Sequence, residues 1–188
     1  MEFKLIEPKV YFQDLVADGM KKRGVKAVPH VATYLRDLLV HYLEAKNLKC
    51  DTLAVMLLKA QNSDSLQERS EIYKRLGDTS LYISGFFGDS LNRKIVDIDY
   101  YVQMGGTAYS SLAAGTHEDL LAFVYRDFAD RFMEFVDVLA HISQEVFVQG
   151  NQSVLRLYER YLRTGSALAR DKLIEMGVMA IPRDVGYK

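Results

Sequence analysis

Apolar residues recur at intervals of three and four along almost the whole chain, a period that leaves room for little besides α-helix. Val31, Tyr34, Leu35, Leu38, Leu39 and Tyr42 form one such stripe, at about 100° per residue. The two-residue alternation of a half-buried strand is almost absent. Helices without strands can only pack on one another, so the expected fold class is all-α. A single domain spanning residues 1–188 is expected, built as a helical bundle or an orthogonal array of about seven helices. With 49% hydrophobic and 26% charged residues, a chain of this length supports a core without disulfide or metal.

Start and stop signals divide the pattern. Pro8 suits a first helical turn, and Lys21-Lys22-Arg23 before Gly24 suits a last one. A second helix is expected from Pro29 to about Lys46, and a third from Leu53 to about Gln61, capped by Asp51 or Thr52. The spacing predicts one long helix from Leu66 to about Phe87 despite Gly77, closed by Gly88, with a break near Gly77-Asp78 as the main alternative. Asp97 caps a helix reaching about Ala114, in which Gly105 lies mid-stripe beside Ala108 and invites close approach by a neighbour. Thr116 is read as the cap of a long aromatic central helix, His117 to about Phe147, with Phe123, Tyr125, Phe128, Phe132, Phe135 and Phe147. Asn151 starts a helix through Arg163, and Ser166 a last one ending at Gly177.

Charge and composition exclude several roles. Lys plus Arg number 24 against 25 Asp plus Glu, so no net field attracts nucleic acid or an anionic membrane. No window approaches the apolar length of a membrane span, and Glu2 and Pro8 interrupt the start where a signal peptide needs an unbroken apolar run. The single cysteine, Cys50, forms no intrachain disulfide and fits a reducing compartment, so the expected location is the cytoplasm. Gly-rich phosphate loops, His-Glu-x-x-His, Cys-x-x-Cys and Gly-x-Ser-x-Gly are all missing.

Four groups of residues could still carry function. The trios Asp37-His41-Glu44 and Asp137-His141-Glu145 each share a helical face, as bundle metal ligands do, but lie away from the apolar stripes. They are read as solvated faces, with no metal and no cofactor expected. The stretch Asp97 to Tyr109 carries a second stripe, Tyr100, Met104, Thr107 and Ser111, neither charged nor plainly apolar. In Leu81 to Gly88, Ser84 and two glycines interrupt an apolar helix end. If the two stretches meet, Tyr82, Ser84, Tyr100 and Tyr101 share one cleft, with Arg93 in reach of an anion. Arg156, Arg160 and Arg163 line one face of their helix, with no interleaved aromatics to favour single-stranded nucleic acid. Ordinary packing or solvation is the plainer reading of each group.

The functional expectation is therefore a non-enzymatic helical interaction or regulatory protein. Its tyrosine- and methionine-bearing face, including Tyr100, Tyr101 and Met104, would meet a protein partner or a second copy in a homodimer. The alternative is a small-molecule-binding domain or enzyme with a tyrosine-lined cleft between the helix ending near Phe87 and the one starting near Asp97.

Overall fold

The computed structural model describes residues 7–48, 51–88, 97–149, 161 and 167–175. Among the described residues there are helices and no strand: α1 (Pro8–Arg23), α2 (Pro29–Tyr42), α3 (Leu53–Asn62), α4 (Leu66–Phe86), α5 (Ile98–Gly115), α6 (Asp119–Asp130), α7 (Phe132–Gln149) and α8 (Ala167–Glu175), with a 3-10 turn at Ala45–Leu48. The chain is all-α, as its apolar period requires. Its contacts group it into two compact units, Met1–Ser143 and Gln144–Lys188. In the second, Leu173 of α8 is buried. No helix among the described residues is long and apolar enough to cross a membrane.

Local chemistry explains most boundaries. Gly24 closes α1 in the left-handed conformation at φ 70°, its N–H bonded to the Lys21 carbonyl. The hydroxyls of Thr52 and Ser65 accept from Val55 N and Glu68 N, and Asp97 accepts from Ile98 N at 2.6 Å. One stop and one cap differ from the expected ones. α2 ends at Tyr42 rather than near Lys46, where the Leu43 N–H turns back to Val40 O in a tighter 3-10 turn. Thr116 does not cap the following helix: its hydroxyl donates back to Leu112 O at 2.7 Å and so serves the end of α5.

In the first unit α4 lies along α5 and α3, α5 along α6, and α1 along α2. The middle of α4 is enclosed on every side, with each residue from Leu76 to Tyr82 buried. A helix that feels neighbours all round cannot be amphipathic there, which is why Gly77, Thr79 and Ser80 alternate with Leu76 and Leu81.

The aromatic segment expected as one helix is two, α6 and α7, meeting at Arg131. Neither proline nor glycine stands at the break, so tertiary contacts must account for it. A Cβ on Gly105 would overlap the Phe132 ring, so this ring sits directly against the α5 backbone. Arg131 then fastens the junction: its guanidinium donates to Asp127 Oδ1 at 3.1 Å, to Glu134 Oε2 at 2.6 Å and to the Lys26 carbonyl at 2.9 Å. Those three bonds tie the end of α6, the first turn of α7 and the α1–α2 link to one side chain.

Candidate functional site

Among the described residues the one buried charged side chain is Asp78, on the enclosed stretch of α4. Its carboxylate is almost wholly out of water, with a side-chain exposure of 10%. A charge in that position is tolerable only when its lone pairs are used. Tyr34 of α2 donates to Oδ1 at 2.6 Å, and Tyr109 of α5 donates to the same oxygen at 2.8 Å. Lys74, one turn back on α4, donates to Oδ2 at 2.6 Å and stays about half exposed. The ammonium also lies 5.2 Å from the centre of the Tyr34 ring, where its charge meets the aromatic face.

The rings hold these hydroxyls in place. Tyr109 stacks on Phe128 at 5.2 Å and on Tyr125 at 6.1 Å, while Tyr34 stands edge-on to Tyr125 at 5.9 Å. Burial, with the Asp78 charge and hydrogen bond behind it, pushes the phenols of Tyr34 and Tyr109 well above their ordinary range. Tyr125 is raised too, first by burial and then by the same carboxylate. Raised phenols keep their protons, and those of Tyr34 and Tyr109 are donated to Asp78. The carboxylate is an acceptor encircled by three donors. What it does is pin α2, α4 and α5 in one register.

The residues singled out in the sequence take other places. Tyr82 is buried, stacked on Tyr42 at 4.4 Å and on Phe86 at 5.3 Å, with Phe87 edge-on at 5.6 Å. Tyr42 in turn shares a 2.9 Å hydrogen bond with Thr79. Ser84 is buried as well, and its hydroxyl donates to Ser80 O at 2.7 Å within its own helix. Tyr100, Tyr101 and Met104 come together: all three are partly exposed and pack on a core cluster of Leu53, Met56, Leu76 and Ala108, which Leu57, Ile72 and Tyr73 also cover. Arg93 and the Arg156, Arg160 and Arg163 stripe lie outside the described residues.

The two histidines of the carboxylate trios part company. His41 is exposed, with its ring edge-on to Tyr42 at 5.0 Å. His141 does not face open water as expected; its side chain is 22% exposed, and Nε2 lies 3.9 Å from Asp18 Oδ2. The cause is Gly19, where a Cβ would come within 3.2 Å of Ile142 Cγ1, so α1 approaches α7 closely and brings Asp18 alongside. Asp137 is paired with Arg23 at 3.0 Å.

Sequence reasoning placed Tyr34 and Tyr109 on apolar stripes and read their rings correctly as core, but missed their shared acceptor. The available signal was Asp78 itself, an acid within a run of small and apolar residues, with Lys74 four positions before it. No protein-family model matches this chain, and neither does any curated protein or solved structure.

Proposed function

We propose that this chain is a non-enzymatic helical interaction protein whose face of Tyr100, Tyr101 and Met104 receives a protein partner, and that a second copy of the chain is such a partner. The observation behind this reading is the gathering of those three side chains, with Leu57, Ile72 and Tyr73, at partial exposure over one core cluster. Tyrosine offers broad contact area at low entropic cost, and methionine adapts its shape to what it meets. The polar chemistry at Asp78 points the other way, turned inward and used up by its own donors. A near-balanced charge, 24 basic against 25 acidic residues, raises no long-range repulsion between copies. The lone Cys50 suits action in the reducing cytoplasm.

Sedimentation velocity over a wide concentration range tests the reading. The mass is expected to rise from monomer toward dimer, and Tyr100→Glu or Met104→Glu to weaken the association at least about tenfold, a loss near 1.4 kcal/mol. Both positions are partly exposed, so the helical circular dichroism of either variant stays that of the parent. A mass that stays monomeric at every concentration removes self-association.

A further inference from the structure

We draw no further inference here: the strongest candidate, the side-chain cluster where Asp18 of α1 meets His141 of α7, offers two partly exposed donors 3.9 Å apart on a carboxylate oxygen that Lys22 Nζ already holds at 3.0 Å, and no second observation points to a ligand there.

Discussion

A carboxylate enclosed on the middle of α4 is stable only while its oxygens are occupied, so the residue-scale consequences follow from which partner is removed. Asp78→Ala leaves two phenol hydroxyls without their acceptor, one fully buried and the other partly so, and is expected to cost about 3 kcal/mol in urea unfolding. Asp78→Asn keeps an oxygen that can accept from both phenols but loses the charge and puts an amide NH2 where Lys74, about half exposed and free to turn to water, had its acceptor, so about 1–2 kcal/mol is expected. Equal losses in the two variants would show that charge, not acceptance, is what α4 needs there. Tyr34→Phe and Tyr109→Phe should each cost about 1.5–3 kcal/mol, and the double variant less than their sum, because both donors converge on Oδ1. Alkali gives an independent reading. Below about pH 10 the phenols are neutral in folded and unfolded chains alike, and their contribution is intact. Above it the unfolded chain releases those protons while folded Tyr34 and Tyr109, raised by burial, retain them. Stability should therefore fall by about 1.4 kcal/mol per pH unit for each of these tyrosines. Tyrosinate absorbance that appears for all tyrosines before any loss of helix would contradict this. Little of the network was legible in the sequence. A Tyr at a core position reads as a large apolar ring, and only the fold reveals that its hydroxyl has somewhere to go.

At the scale of elements, adjacent glycines on α5 separate packing from propensity. Both lie inside a helix, where alanine is preferred by about 1 kcal/mol. A Cβ at Gly105 has no room, since it would overlap the Phe132 ring and lie 2.9 Å from Ser80 Cβ. At Gly106 the nearest atom would be the Ala129 carbonyl oxygen at 3.9 Å, an ordinary contact. Thermal unfolding should find Gly105→Ala destabilised by about 1–3 kcal/mol through overpacking, and Gly106→Ala stabilised by about 0.5–1 kcal/mol. If both changes stabilise, the close seat of Phe132 on α5 is wrong. This pair also marks where reading the sequence succeeded and where it stopped. Close approach at Gly105 was legible, because a glycine inside an apolar stripe has few other uses. The identity of the approaching ring was not, and with it went the division of α6 from α7. Along residues 117–147 the apolar spacing runs unbroken through Arg131, and what interrupts the helix comes from α5 and from the α1–α2 link. Helix starts at Pro8, Pro29, Leu53, Leu66 and Ile98 were readable for the opposite reason, since proline and capping side chains act within a few residues of the ends they set.

Across the whole molecule, the division of labour among tyrosines carries the functional reading. Tyr34, Tyr42, Tyr82, Tyr109 and Tyr125 are engaged inside the first unit by Asp78, Thr79 or one another's rings. Tyr73, Tyr100 and Tyr101 lie partly exposed over the cluster of Leu53, Met56, Leu76 and Ala108, with Tyr100 and Tyr101 edge-on to each other at 5.7 Å. An association through such a face is driven by apolar burial rather than by charge, and the near-equality of basic and acidic residues gives no long-range term to assist or oppose it. Ionic strength then becomes the discriminating variable. Screening weakens attraction between exposed charges as salt rises, whereas an apolar contact is little affected or modestly strengthened. The dissociation constant of the proposed dimer should therefore change less than about threefold between low and high salt, and calorimetric dilution, which separates the copies, should show the positive heat-capacity change of apolar surface entering water. A dimer that falls apart as salt is added would place the contact on charged surface elsewhere, for example on the Lys21-Lys22-Arg23 end of α1. In that event Tyr100→Glu and Met104→Glu would associate as the parent does, and the tyrosine face would be no more than the outer shell of the core it covers.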